Sequence, residues 1–195
     1  KLSKLNINEI ERNGQWNDID PEITGIETNS TRVEKGNIFL AKAGETKDSH
    51  GVLFSNQAIE RGASLVITDP EGFKFALDKD LKPTIPFLLV RNLESTFDYL
   101  CQRFYPDKPK FVMGVTGTNG KTSVVNFSQQ LIEQKNKSCV TIGTLGVGGV
   151  VSLKTENTTP DQSYIAKILQ MAKLNGADYA LLEVSSHSLV QRRIN

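Results

Sequence analysis

The stretch FVMGVTGTNGKTSVVNFSQQLIEQK, residues 111–135, joins an apolar run to a glycine-rich turn, a Lys-Thr pair and an amphipathic pattern. The apolar run predicts a short buried strand. In the turn, Gly117 and Gly120 permit backbone conformations that side chains disfavour and let N–H groups approach a phosphate closely. The apolar residues after the turn recur at the spacing of one helical face: Val124, Phe127, Leu131 and Ile132. The stretch therefore predicts a phosphate-binding strand, loop and helix.

The start of this helix supplies further groups for nucleotide binding. Its N-terminus carries partial positive charge, Lys121 can reach the terminal phosphates, and the hydroxyl of Thr122 can ligate the accompanying Mg²⁺. The spacing departs from the usual G-x-x-x-x-G-K-[ST], because Gly114 lies one residue too early and Val115 occupies the expected glycine position. We expect ATP to be bound by Gly117, Thr118, Asn119, Gly120, Lys121, Thr122 and Ser123.

Composition narrows the class of protein. The chain has 195 residues, 38% of them hydrophobic, enough for one large or two small domains with a core. A formal net charge of +1 gives no basic footprint for nucleic acid. The sequence shows neither a run of roughly 18 apolar residues nor an apolar signal-peptide region, so we expect a cytoplasmic protein without a membrane span. Cys101 and Cys139 show no metal-ligand spacing and are expected to be reduced, buried thiols.

The first half of the chain alternates strand and helix patterns. Two strand candidates lie in ITGIETNSTRVEKGNIFLAKAG, and SLVITD and PFLLV are two more. One helical pattern begins at Phe54 and has its predicted stop at Gly62. A second helical pattern runs through NLESTFDYLCQRFY. The polar, proline-containing segment YPDKPK then indicates a boundary near residues 106–110, which divides the chain into domains 1–108 and 109–195.

The second half continues the alternation. After the loop helix come a strand in KSCVTIG, a hairpin or loop excursion, a helix ended by Gly176, and a buried strand in ADYALLEV. Such alternation predicts the α/β class with a mainly parallel sheet and right-handed crossovers. Ligands collect at the carboxyl ends of parallel strands, where the phosphate loop and the residues after Glu183 both fall. The chain stops after the third central strand, so we expect part of a longer enzyme.

The pattern G-x-x-G-T-N-G-K-T, from Gly114 to Thr122, resembles the ATP loop of the Mur ligase family and its folylpolyglutamate synthetase relatives. Further segments resemble the members that add the third amino acid to UDP-N-acetylmuramoyl-L-alanyl-D-glutamate: ENTTPD, LEVSSHSLVQRR, STRVEKGNIFLAKAG, KDSHG and AIERGASLVI. The resemblance implies a UDP-sugar-binding N-terminal α/β domain, followed by the first part of a P-loop ATP-binding domain.

The resemblance also implies roles for single residues. Lys121 and Glu183 are the implied catalytic residues, and Thr122 and Glu183 would ligate Mg²⁺, for which a hydroxyl and a carboxylate are suitable ligands. Uridine-side contacts are implied for residues 45–47 and for Thr31, which stands where the family usually has the serine of Asp-Ser-Arg. Contacts to the muramoyl peptide are implied for Asn119, Thr158, Thr159, Ser185, Gln191 and Arg193.

The implied reaction is ATP-dependent amide formation in peptidoglycan precursor synthesis. The ATP γ-phosphate would pass to the D-glutamyl γ-carboxylate, and the incoming amine would attack the acyl phosphate. The family's carbamylated lysine and its C-terminal domain would lie beyond Arg193, so this portion alone is expected to be inactive. The identity of the third amino acid and the oligomeric state stay open. Two alternatives remain: another ligase of the superfamily, such as a folylpolyglutamate or cyanophycin synthetase, or a non-catalytic nucleotide-binding module.

Overall fold

Two β-sheets, each with its own helices, organise the computed structural model of this chain. They belong to separate units, Lys1–Phe104 and Tyr105–Asn195. The structure describes residues 1–5, 7, 9–12, 19–44, 49–81, 84–155 and 158–190. Within those ranges, no helix is long and apolar enough to cross a membrane.

The N-terminal unit contains a five-stranded sheet in the order β1-β5-β4-β3-β2. Its strands are β1 (Glu9–Arg12), β2 (Gly25–Glu27), β3 (Asn37–Ala41), β4 (Leu65–Thr68) and β5 (Phe87–Val90). Strands β2 to β5 are parallel, and β1 pairs antiparallel with β5. Its helices are α1 (Ser55–Glu60), α2 (Pro70–Asp78) and α3 (Leu93–Phe104), with 3-10 turns at Leu2–Lys4, Ser30–Arg32 and Gly51–Phe54. The four predicted strands are confirmed, whereas β1 and α2 were not predicted.

Both faces of this sheet are buried. Phe39 of β3 packs with Val66 of β4 and Phe87 of β5 in one cluster. Ile38 and Leu40 are also buried, and they point to the opposite face because side chains alternate along a strand. Burial on both faces is typical of parallel sheets covered by helices, and it explains why these strands appear as continuous apolar runs in the sequence.

A buried imidazole connects two loops of the N-terminal unit. His50 is only 1% exposed, its Nδ1 accepts the N–H of Val52, and its ring stacks on Phe75. His50 Nε2 lies 3.3 Å from Oδ1 of Asp69, which also caps α2 by accepting the N–H of Gly72 at 2.8 Å. The imidazole lowers the pKa of Asp69 below its ordinary value, partial burial opposes this, and the Gly72 N–H adds to the lowering.

The C-terminal unit contains a four-stranded sheet in the order β6-β9-β7-β8. Its strands are β6 (Phe111–Thr116), β7 (Cys139–Gly143), β8 (Gly146–Gly149) and β9 (Tyr179–Val184), and its helices are α4 (Lys121–Gln134), α5 (Gln162–Leu174) and α6 (Ser186–Val190). Strands β6, β9 and β7 are parallel, and β8 forms an antiparallel hairpin with β7. The predicted α/β class with mainly parallel sheets is confirmed. The prediction that β6 is buried is wrong, because Phe111, Val112 and Met113 of this edge strand are each more than 40% exposed. Both cysteines are buried and neither forms a disulfide, and burial raises the pKa of the Cys139 thiol.

Helix α4 begins and ends as the sequence pattern predicts, but the predicted packing face is wrong. Val124, Phe127 and Leu131 are all exposed, Phe127 to 63%, whereas Val125 is 2% exposed and Ile132 is half-buried. Val125 and Ile132 are seven residues apart, so they share a face two turns apart. The helix therefore carries two apolar stripes, and periodicity alone selected the stripe with more residues.

Candidate functional site

The loop between β6 and α4 has the backbone conformation that its glycines predict. Gly117 has φ of +152° and Gly120, which caps α4, has φ of +81°, a region that strains residues with side chains. The N–H of Val124 donates to the Gly120 carbonyl at 2.9 Å. The N–H groups at the start of the helix precede this bond and therefore point out of its N-terminus. The loop thus has the geometry of an anion-binding site.

Lys121 lies across this loop. Its Nζ donates to the Gly117 carbonyl at 2.8 Å and lies 3.5 Å from the Thr118 carbonyl oxygen. The residue is half-buried, and its positive charge is held at the loop by these two carbonyls. Asn119 and Ser123, also predicted to bind ATP, are exposed on the same loop and first helical turn.

Glu183 is the buried acidic residue of the site. Neighbouring residues of β9, Leu182 and Val184, belong to the core on the α5 side, so alternation directs Glu183 to the other face, which α4 covers. Glu183 is only 2% exposed, and its Oε2 accepts the hydroxyl of Thr122 at 2.9 Å. The sheet therefore brings together two residues 61 positions apart, as the sequence predicted.

Thr144, directly after β7, supplies two more hydrogen bonds to this carboxylate. Its hydroxyl donates to Glu183 Oε2 at 3.0 Å, and its N–H donates to Oε1 at 3.2 Å. Thr144 was not predicted from the sequence, although its position at the carboxyl end of a predicted parallel strand was a usable signal. Gly143 beside it was also missed, and a Cβ there would overlap the Glu183 carboxylate.

The Thr158-Thr159 pair has two different environments. The Thr158 hydroxyl oxygen lies 3.1 Å from that of Thr144, so it belongs to the same cluster. The Thr159 hydroxyl donates to the Glu183 carbonyl at 2.8 Å and accepts the N–H of Ser185 at 3.2 Å. With only 2% exposure, Thr159 holds the backbone where β9 ends. A substrate contact by Thr159 stays a prediction.

The other predicted substrate residues are spread over the chain. Ser185 is half-buried, and its Oγ accepts the N–H of Ser188 at the start of α6. Thr31 lies in the N-terminal unit, where its hydroxyl and its N–H both donate to Asn29 Oδ1, at 2.7 and 2.9 Å. Gln191, Arg193 and residues 45–47 lie outside the described residues.

The donor set at Glu183 suits Mg²⁺. The described ranges contain no group of three or more His, Cys, Asp or Glu side chains arranged to hold a metal ion. Mg²⁺ does not need one, because it commonly binds through one or two protein oxygens together with waters and substrate phosphates. A carboxylate and a hydroxyl 2.9 Å apart beside the phosphate loop provide that set.

A strand is followed by a glycine loop and a helix, and the adjacent parallel strand places an acidic side chain at the helix start. This arrangement defines a P-loop type of mononucleotide-binding unit. Sequence comparison then identifies the family. The Mur ligase family catalytic domain matches residues 22–96, and the Mur ligase middle domain matches residues 115–195. The two matches together span most of the chain, which belongs to the Mur ligase family.

Curated relatives agree with this family. The chain is 33% identical over 179 residues to a UDP-N-acetylmuramoyl-L-alanyl-D-glutamate–2,6-diaminopimelate ligase of Bacillus velezensis, covering 90% of this chain and 34% of the relative. It is 36% identical over 177 residues to the ligase of the same name from Rickettsia conorii, covering 88% of this chain and 35% of the relative. The chain therefore spans about a third of the length of these relatives.

Solved structures have the same fold. A structure of a UDP-N-acetylmuramoyl-L-alanyl-D-glutamate–2,6-diaminopimelate ligase superposes with a TM-score of 0.66 at 28% identity, covering 91% of this chain and 36% of that one. MurF from Acinetobacter baumannii superposes with a TM-score of 0.51 at 18% identity, covering 84% of this chain and 31% of that one. The second similarity concerns the fold alone.

Proposed function

We propose that this chain is the UDP-sugar-binding and ATP-binding portion of a ligase that adds the third amino acid to UDP-N-acetylmuramoyl-L-alanyl-D-glutamate. Residues 1–108 would bind the UDP-sugar end, and residues 109–195 would bind ATP and the peptide end. The observation that carries the proposal is the buried Glu183 carboxylate, hydrogen-bonded to Thr122 of the phosphate loop helix. The relatives' names supply the substrate.

The proposed chemistry activates a carboxylate that is otherwise a poor electrophile. An oxygen of the D-glutamyl γ-carboxylate attacks the ATP γ-phosphorus, and ADP leaves. The amine of the incoming amino acid then attacks the acyl carbon, inorganic phosphate leaves, and the nitrogen loses a proton as the amide forms. Both the UDP-linked substrate and ATP would be available in the cytoplasm, where we propose that the enzyme acts.

Lys121 and the N–H groups at the start of α4 would oppose the negative charge on the transferring phosphoryl group. The loop glycines have the positive φ angles described above, which supports binding of a phosphate to the backbone N–H groups. Thr122 and Glu183 would hold Mg²⁺, which supplies further neutralisation of the ATP phosphates when bound. Positioning and electrostatics would thereby provide most of the catalysis.

The binding site for the muramoyl peptide is proposed to lie beside the Glu183 carboxylate. Thr158 contacts the Glu183 cluster through Thr144, and Ser185 directly follows β9. These hydroxyls would bind oxygens of the muramoyl peptide, together with Asn119 of the loop, Thr159, Gln191 and Arg193. Thr31 and residues 45–47 would contact the uridine end.

Calorimetric titration tests the substrate directly. The chain is titrated with UDP-N-acetylmuramoyl-L-alanyl-D-glutamate and with UDP-glucose, each with and without Mg²⁺ and ATP. Tighter binding of the muramoyl dipeptide supports the proposal, whereas equal affinity for both UDP compounds contradicts the assigned substrate. Absence of ATP binding would contradict the nucleotide site.

The catalytic role of Lys121 needs a protein of the relatives' full length that contains this chain. Lys121→Ala there should abolish ATP-dependent phosphate release while leaving the thermal unfolding temperature unchanged, because the Nζ hydrogen bonds are to carbonyls of the exposed loop. The matched control is Lys137→Ala, which removes an exposed lysine charge outside the phosphate loop. Undiminished turnover in Lys121→Ala would remove this lysine from the mechanism.

A further inference from the structure

The hydroxyl of Thr144 occupies a position between the two halves of the proposed site. One side of it faces Glu183, which would hold Mg²⁺, and the other faces Thr158, which would contact the peptide substrate. We infer that Thr144 is a positioning residue that orients the Glu183 carboxylate and couples binding of Mg²⁺ and ATP to binding of the UDP-linked substrate. This inference rests on the proposed function.

The available protons define the direction of the hydrogen bonds. A carboxylate can only accept, and a threonine hydroxyl has a single proton. Thr144 therefore donates its proton to Glu183 Oε2 at 3.0 Å and accepts the proton of Thr158 across 3.1 Å. The result is a directed chain from Thr158 through Thr144 to Glu183. A ligand that binds the Thr158 hydroxyl changes the hydrogen bond that Thr144 receives.

The backbone holds Thr144 in place. Gly143 at the end of β7 pairs with Gly146 at the start of β8, so Thr144 and Leu145 form a two-residue hairpin turn. Gly146 has φ of +98°, which favours glycine in this turn. The Thr144 N–H also donates to Glu183 Oε1, so the residue contacts both carboxylate oxygens. Two contacts from a tight turn restrict rotation of the carboxylate.

Accessibility also distinguishes Thr144 from its partner. Glu183 is buried, whereas Thr144 is exposed on the turn and can respond to a ligand. Its neighbour Leu145 is 79% exposed in the same turn. Leu145→Ala is therefore a matched control that changes the turn without removing a hydrogen bond to Glu183.

The test uses Thr144→Val, which removes the hydroxyl at nearly constant volume, and Thr144→Ser, which restores it. The affinity of each variant for ATP is measured by calorimetry with and without Mg²⁺, and again in the presence of UDP-N-acetylmuramoyl-L-alanyl-D-glutamate. Thr144→Val should lose about tenfold of the Mg²⁺-dependent affinity, since a hydrogen bond to a charged group is removed. In Thr144→Val, the effect of UDP-N-acetylmuramoyl-L-alanyl-D-glutamate on the affinity for ATP should also be smaller.

Other results have defined meanings. ATP affinity without Mg²⁺ should change little in Thr144→Val, and Thr144→Ser should behave like the unchanged chain. The unfolding temperature of Thr144→Val should fall by no more than the loss of one hydrogen bond to a charged group explains. Equal Mg²⁺ dependence in Thr144→Val, Leu145→Ala and the unchanged chain would overturn the inference while leaving the proposed function intact. Loss of Mg²⁺-free binding together with stability would also overturn it, since the role would then be structural. No binding of Mg²⁺ and ATP by the unchanged chain would reject the proposed nucleotide site itself.

Discussion

Substitution of Gly143 by alanine should disturb Glu183 more than any other part of the C-terminal unit. A Cβ at this position would lie 2.7 Å from Glu183 Cγ and nearer still to its carboxylate. Glu183 is 2% exposed, so its side chain has little room to move without leaving its partners. The alanine therefore forces a choice between a steric overlap and the loss of the hydrogen bonds at the carboxylate.

The magnitude follows from those hydrogen bonds. The carboxylate accepts the Thr122 hydroxyl, the Thr144 hydroxyl and the Thr144 N–H. Hydrogen bonds to charged groups contribute roughly 1.5–3 kcal/mol each, and overpacking costs about 1–3 kcal/mol. Displacement that breaks one or two of these bonds should destabilise the unit by about 3 kcal/mol. For a domain of this size, that lowers the unfolding temperature by roughly 12–24 °C.

Thermal unfolding followed by circular dichroism measures this loss, and calorimetry measures ATP affinity with and without Mg²⁺. Gly148→Ala is the control, because a Cβ there meets only the side-chain oxygen of Thr141, at 2.9 Å, away from Glu183. Gly143→Ala should lose stability and Mg²⁺-dependent ATP affinity, and Gly148→Ala should retain the latter. Unchanged unfolding and ATP binding in Gly143→Ala would refute the tight packing of Gly143 against the carboxylate.

Three further predictions concern stability. Thr159→Val should destabilise the chain by about 2 kcal/mol in chemical denaturation, because the Glu183 carbonyl and the Ser185 N–H lose their hydroxyl partner. A loss no larger than that of Thr158→Val would contradict this role. Asp69→Asn keeps the cap acceptor but removes the charge beside His50. The pKa of Asp69 is lowered in the folded chain, so the stabilisation by its charge is present above the ordinary carboxyl pKa and is lost as pH falls through the folded pKa. In urea titrations, Asp69→Asn should therefore be less stable than the unchanged chain at pH 7. The difference should shrink below about pH 4. Gly176→Ala should cost about 1 kcal/mol because φ is +83° with open space around the position, and Gly176→Asn should cost less; equal losses in thermal unfolding would argue against a conformational cause.

Local sequence patterns predicted best the strands that are buried on both faces. Strands β3, β4 and β5 are buried on both faces, and their continuous apolar runs were sufficient to identify them. Strand β1 was missed because its sequence, EIER, contains one apolar residue among three charged ones and so shows no apolar run. It forms a strand by pairing with the edge of β5. Helix α2 was missed although Asp69 and Pro70 form a helix start signal.

The phosphate loop shows what the sequence alone determined about this protein. Its glycines, Lys121 and Thr122 lie within one short segment, so a local pattern predicts both the loop and the start of α4. The alternation of strands and helices likewise determined the parallel sheet, because parallel strands require crossover connections. Glu183 could be predicted near the loop for the same reason, since parallel strands bring their carboxyl ends to one edge.

Only the tertiary structure decided which side chains meet at that edge. The contact of Thr144 with Glu183 depends on the strand order, which places β9 between β6 and β7, and on the hairpin turn that follows β7. The need for Gly143 depends on the space that the Glu183 carboxylate fills. Likewise, α4 has two apolar stripes, and packing on the sheet chose the one with Val125. Burial and hydrogen bonding between distant segments depend on three-dimensional register, which no local pattern in the chain contains.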